Sequence, residues 1–214
     1  MNNLFFLNKY KLFIVDYDGT ILDSMRMWRT LLSSFLNEEG IIYNEDIDEI
    51  SKEQTNSESV KYMNEYYFPN MEYHDLENKM YQYVKQKYVL QKVKPNAVEL
   101  LKQLKANGKV VLFSATATEL LTDSFNVNGL NKYFDFIYSA SSMNTTKTNG
   151  VGFIEVLKRE NIDINDTLVV EDIYHAIKGA RYQGFDTLAV YDNQEYWDEI
   201  KQISTYYINL NDSE

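Results

Sequence analysis

Side chains able to handle phosphate stand where short apolar runs of this chain stop. Asp16 and Asp18 follow the run Lys11 to Val15, with Gly19 and Thr20 behind them, and Ser114 and Thr116 follow Lys109 to Phe113. Lys147 lies beyond Phe134 to Tyr138, and the pair Glu171 and Asp172 follows Thr167 to Val170. Brought together, these groups would form a knot of carboxylates that repel one another unless a cation sits among them. Hard carboxylate oxygens suit Mg²⁺, which also bridges to phosphate oxygens. With the metal and Lys147 offsetting the charge, a phosphate dianion can approach Asp16, whose carboxylate would attack phosphorus in line and form an aspartyl-phosphate. In extended backbone Asp18 points the same way as Asp16, about 7 Å further along. A curl at Gly19 would let Asp18 protonate the leaving oxygen and then deprotonate the water that cleaves the intermediate.

The elements needed to gather these groups are legible in the apolar pattern. Thr187 to Tyr191 is a fifth run like the other four, and all five read as buried parallel strands. Between them lie helical patterns: Pro95 to Asn107 before Gly108, Glu119 to Asn128 before Gly129, Gly152 to Glu160, and Ile173 to Gln183 before Gly184. Strand alternating with helix predicts an α/β fold, a doubly wound parallel sheet whose ligand site lies beyond the carboxyl ends of the strands. One stretch breaks the alternation. Residues 22–94 contain no comparable strand run but carry helical patterns such as Met25 to Glu39 and Leu76 to Leu90, so they read as an all-helical cap inserted into a core made of residues 1–21 and 95–214.

Composition narrows the chemistry. The 214 residues are 44% hydrophobic with two prolines, a globular make-up. No cysteine is present, so thiolate metal sites, disulfides and a cysteine nucleophile are excluded, and a reducing, cytoplasmic setting is expected. Met1 to Tyr10 has neither a basic leader nor a long apolar stretch and reads as neither signal peptide nor membrane span. The net charge of −11, from 32 acidic and 21 basic side chains, disfavours nucleic acid as a partner. The expected partner is a small phosphorylated metabolite, held by a local cation rather than by the overall field. Whether the protein is a monomer or a dimer does not follow from the sequence.

In order and spacing these motifs resemble those of the haloacid dehalogenase superfamily, in its phosphatase branch with a helical cap after the first motif. Asp16-Tyr17-Asp18-Gly19-Thr20, continued by Ile21-Leu22-Asp23-Ser24, matches the first motif, and Ser114 matches the second. Lys147, six residues before Phe153, matches the third, and Glu171-Asp172 the fourth. The resemblance implies that a carboxylate oxygen of Asp16, the backbone carbonyl of Asp18 and the side chain of Asp172 hold the metal, with Glu171 assisting through water. It also implies that Ser114 and Lys147 hold the transferring phosphoryl group, with Thr116 a competitor of Ser114. Two departures stand out. Thr148 and Gly150 replace the prolines that often follow the Lys, and Ile173-Tyr174-His175-Ala176 replaces a segment where Ser and Gly are common.

Several rival readings share parts of this set. A phosphosugar mutase of the beta-phosphoglucomutase kind uses the same nucleophile and acid but returns the phosphoryl group to sugar. A receiver domain acting as a phospho-switch places its acidic pair first and has no helical insert of this length. A phosphate-binding protein on the same fold would have no reason to keep every reactive group. Carbon–phosphorus cleavage needs a cap lysine and dispenses with an acid at the position of Asp18. His175, His74, Arg26, Arg29 and Lys52 read as surface or partly packed side chains rather than as parts of the site.

Overall fold

A computed structural model describes residues 4–44, 46–51 and 56–211 and divides the chain into two compact units, Met1–Asp23 with Gln91–Glu214, and Ser24–Leu90. Lys52 lies outside the described residues.

The larger unit is built on six parallel strands: β1 (Leu12–Val15), β2 (Lys109–Ser114), β3 (Phe136–Ser139), β4 (Thr167–Glu171), β5 (Asp186–Val190) and β6 (Tyr206–Ile208). Their order across the sheet is β3-β2-β1-β4-β5-β6. β1 is therefore central, with Leu12 opposite both Lys109 and Thr167. Every residue of β1 and β4 is buried, as expected of strands covered on both faces. Because side chains alternate, Leu12 and Ile14 join Val111, Phe113, Val169 and Phe153 in one core cluster, while Phe13 and Val15, equally buried, face the other side. Four helices of this unit are those the pattern predicts, numbered here after the five of the smaller unit: α6 (Ala97–Asn107), α7 (Thr118–Asn128), α8 (Val151–Glu160) and α9 (Tyr174–Tyr182). The strand order reverses at β1, so ligand groups are expected at the carboxyl ends of β1, β2 and β4.

Two elements were not anticipated. Helix α10 (Trp197–Ile203) and β6 add a sixth strand at the sheet edge. Tyr206–Ile208 is short and only partly buried, so it lacks the apolar run by which the other strands declare themselves. Pro95 precedes α6 rather than opening it, because Asn96 adopts a left-handed conformation (φ 56°) and its side-chain amide donates to the Leu210 carbonyl.

The smaller unit is all helical: α1 (Met25–Arg29), α2 (Leu31–Glu38), α3 (Ile47–Ser51), α4 (Asn56–Tyr66) and α5 (Tyr73–Tyr88). Leu32, Phe35, Leu36, Met63, Leu76 and Met80 lie at its centre. The single helix expected over Met25 to Glu39 is broken at Thr30. That residue leaves helical geometry (φ −113°, ψ 21°), and its hydroxyl donates to the Arg26 carbonyl, the back-bonding that bends helices at β-branched hydroxyl residues. Among the described residues no helix is long and apolar enough to cross a membrane.

The chain leaves and re-enters the larger unit through two adjacent segments. Leu22 pairs antiparallel with Val93, the Asp23 N–H donates to the Lys92 carbonyl (2.8 Å), and the Lys94 N–H donates to the Ile21 carbonyl (2.8 Å).

Candidate active site

The strand ends deliver their cargo to one edge of the sheet. The Asp16 N–H donates to the Val170 carbonyl at 2.9 Å, extending the ladder one residue beyond β1 and fixing where the Asp16 carboxylate begins. The chain then curls. Both Ile21 and Leu22 donate N–H to the Tyr17 carbonyl, and Gly19, at φ 82°, supplies the left-handed conformation that this tight loop requires. Tyr17 anchors the loop from beneath, its hydroxyl 2.8 Å from the Ser124 hydroxyl on α7.

Lys147 joins two of the acids, its ammonium donating to Asp16 Oδ1 and, at 2.9 Å, to Glu171 Oε2. The other Glu171 oxygen accepts the N–H groups of Asp172 (3.0 Å) and Ile173 (3.2 Å), so Glu171 holds both the lysine and the turn that presents Asp172. Asp172 accepts the Thr20 hydroxyl at 2.9 Å. Oxygens of Asp16, Glu171 and Asp172 all lie within 4.8 Å of one another, and the three side chains are buried.

Asp18 lies beside this group, its Oδ2 accepting the Thr116 hydroxyl at 2.8 Å. Thr116 thus orients the second aspartate. Ser114 is buried at the end of β2, its hydroxyl oxygen accepting the Thr116 N–H at 3.0 Å. Every motif residue expected at the site is accordingly on this edge. Neither histidine joins it by any hydrogen bond: His175 packs edge-on against Tyr174, and His74 pairs with Glu77 in the helical unit. Arg26 and Arg29 are also in that unit.

The electrostatics follow from burial. Desolvation, reinforced by Glu171 and Asp18 and opposed by Lys147, pushes the Asp16 carboxyl up to about 7. Burial likewise holds Asp172 well above the usual carboxylate range; Glu171, Asp16 and Asp192 add to the shift and Lys94 opposes it. Burial also disfavours the Lys147 ammonium, yet Asp16 and Glu171 more than compensate and raise its pKa. Three clustered carboxyl groups sharing one lysine crowd oxygen donors in a buried site, and burial opposes the ionisation of Asp16 and Asp172. An all-oxygen donor set of this kind fits a hard divalent cation such as Mg²⁺.

Two contributors were not foreseen. Thr20 stands out in the sequence only as part of its motif, and nothing local marks it as the partner of a residue 152 positions away. The second is a buried ion pair beside Asp172. The Lys94 ammonium donates to Asp192 Oδ1 and to the Tyr191 carbonyl, each at 3.0 Å.

A model of the haloacid dehalogenase-like hydrolases matches residues 13–190. No curated protein matches the chain by sequence. Solved structures do match it in fold. A candidate beta-phosphoglucomutase from Thermotoga maritima superposes with a TM-score of 0.80 at 18% identity, covering 94% of this chain and 95% of that one. A predicted phosphoglycolate phosphatase from Haemophilus somnus gives 0.76 at 16% identity, over 95% and 96% of the two chains. The magnesium-bound HAD-hydrolase YfnB from Bacillus subtilis gives 0.73 at 20% identity, over 94% of each. At these identities the structures attest the fold, and the family match over most of the chain carries the assignment. The protein belongs to the haloacid dehalogenase-like hydrolases.

Proposed function

We propose that the protein hydrolyses the phosphate monoester of a small metabolite through a phosphorylated Asp16. The observation that carries this reading is the convergence on one sheet edge of Asp16, Asp18 and Asp172 with a lysine that touches the first of them. Asp16 attacks phosphorus, the bond from phosphorus to the ester oxygen breaks, and Asp18 gives that oxygen its proton. Asp18 then takes a proton from water, whose oxygen attacks phosphorus. The bond to Asp16 breaks, and orthophosphate leaves with the carboxylate restored.

Asp18 suits this exchange because the Thr116 hydroxyl fixes one of its oxygens. Lys147, paired with Asp16 in the free protein, has ammonium protons that incoming phosphate oxygens would share, and Ser114 would donate to the same group. Glu171 keeps Lys147 in reach, since both of its oxygens are engaged in holding the lysine and the adjacent turn. Asp16, the Asp18 carbonyl and Asp172 would hold Mg²⁺, with Glu171 assisting through water, and the ion would supply the positive charge that lets a dianion approach a carboxylate. The helical unit Ser24–Leu90 is proposed as the cap that selects the substrate.

The test is a panel of phosphate esters, including hexose phosphates, phosphoglycolate and nucleoside monophosphates, assayed with and without Mg²⁺ for phosphate release and for isomerisation. Asp16→Asn is expected to remove all turnover while leaving the circular dichroism spectrum unchanged; an active Asp16→Asn protein would refute the reading. Isomerisation without phosphate release would identify a mutase instead.

A further inference from the structure

The turn that carries Lys147 is pressed against α9 by two facing glycines. A Cβ built on Gly179 would lie 2.6 Å from the Thr148 carbonyl oxygen, 2.7 Å from the Gly150 nitrogen and 2.8 Å from the carbonyl oxygen of Lys147 itself. A Cβ on Gly150 would lie 2.2 Å from the Gly179 carbonyl oxygen, and Gly150 sits at φ 77°, where a side chain is strained regardless of space. The turn is closed by the Gly150 N–H donating to the Lys147 carbonyl at 2.9 Å, and Gln183, just past α9, donates its side-chain amide to the Asn149 carbonyl at 3.0 Å. Helix α9 begins two residues after Asp172. One rigid element thus runs from the acidic pair of β4 to the backbone of the Lys147 turn.

We infer that Gly179, through its contact with Gly150, is a positioning residue that sets where the Lys147 ammonium stands relative to Asp16 and Glu171. Prolines that would stiffen this turn are absent, and backbone-to-backbone packing on α9 supplies the constraint instead. A methyl group at position 179 requires the Lys147 and Thr148 carbonyls to retreat by several tenths of an ångström, and that shift is passed directly to the lysine main chain. Glycine at 179 is thus explained by the position of Lys147, a residue 32 places earlier in the chain.

The inference rests on the proposed role of Lys147 in holding the phosphoryl group, and the experiment separates the two. Orthovanadate affinity in Mg²⁺, read by calorimetry, and kcat on p-nitrophenyl phosphate are measured for the wild type, Gly179→Ala, Gln183→Ala, Lys147→Ala and the two double variants. Gly179→Ala is expected to lose about 10- to 100-fold in kcat and in vanadate affinity, the scale of a sub-ångström to 1 Å misplacement. Gln183→Ala is expected to lose roughly 3- to 5-fold, that of one hydrogen bond. In the Lys147→Ala background both losses should disappear, which a general packing defect would not do. Gln183→Ala decides alone if Gly179→Ala does not fold. Losses that persist undiminished without Lys147, or vanadate affinity unchanged in Gly179→Ala and Gln183→Ala, would overturn the inference while leaving the reaction intact. Unchanged vanadate affinity in Lys147→Ala itself would overturn the reading beneath it.

Discussion

Replacing Lys94 with Met is expected to destabilise the larger unit far more than the loss of one lysine normally does. The Lys94 and Asp192 side chains are only 3% and 7% exposed, and their charged atoms are 3.0 Å apart. At an effective dielectric of 20 that separation corresponds to an attraction of about 5.5 kcal/mol. Desolvating each ion costs several kcal/mol, so the intact pair contributes little net stability. Removing one partner is different, because the surviving Asp192 keeps most of its desolvation cost and loses its counter-charge, the Asn193 amide that donates to it (3.0 Å) being neutral. The Met side chain fills the space of the lysine stem but leaves the Asp192 side chain buried near Asp172, with a cation gone from beside two carboxylates. The expected loss is about 3–5 kcal/mol, which for a chain of this size is a fall in Tm of about 6–20 °C. Lys94→Met/Asp192→Asn should recover most of it and lie within about 2 kcal/mol of the wild type. Urea denaturation followed by circular dichroism gives the three free energies, and the double-mutant cycle gives the coupling. The reasoning is refuted if Lys94→Met costs less than about 1 kcal/mol, or if the double variant is no more stable than the single.

Three further outcomes follow from other contacts. Thr20→Val removes the hydroxyl that donates to Asp172 and should weaken Mn²⁺ binding, measured by electron paramagnetic resonance without substrate, by about 10- to 100-fold; unchanged affinity would mean that Asp172 needs no such partner. Thr116→Val removes the hydroxyl that donates to Asp18 and should lower kcat about 10-fold with KM little altered; a change confined to KM would point to substrate contact instead. Asp186 is held below the usual carboxylate range: burial opposes its ionisation, but hydrogen bonds from Lys9 and Tyr10 outweigh that. A carboxylate depressed in the folded state stabilises above its unfolded pKa of about 3.9 and loses that contribution as pH falls below it. Asp186→Asn should therefore lower stability at pH 7 by about 1 kcal/mol and flatten its acid dependence, and a variant with the wild-type slope between pH 5 and 2 would contradict this.

Strands β1 to β5 were legible because each carries an apolar run that ends at polar residues, the run being buried along nearly all of β1, β2, β4 and β5 and in the second half of β3, at the sheet edge. The same rule hid β6, whose half-exposed Tyr206–Ile208 has no run to see. Asp16, Asp18 and the pair Glu171-Asp172 stood out because reactive side chains at strand ends are placed by local backbone alone. The groups that orient them did not. Thr116 reaches Asp18 across 98 residues, Thr20 reaches Asp172 across 152, and Lys94 reaches Asp192 across 98. No periodicity encodes a contact between distant loops. The glycine at 179 looked like an ordinary small residue in a helix until the turn opposite it was in place.

The antiparallel pairing of residues 21–23 with 92–94 gives the sheet unit a self-contained seam. Because Asp23 and Lys92 are already joined by a backbone hydrogen bond beside the Leu22–Val93 pair, the distance any intervening chain must bridge is that of a hairpin, whatever its length. The entropy of closing such a loop grows only logarithmically, by about 0.6 kcal/mol for each doubling. Exchanging residues 24–91 for a two-residue Asn-Gly turn would thus join Asp23 and Lys92, ends already positioned for it. A seam of this kind turns the insertion into an exchangeable part: lineages can lengthen, shorten or swap what lies between Asp23 and Gln91 while the strands that carry the acids keep their register.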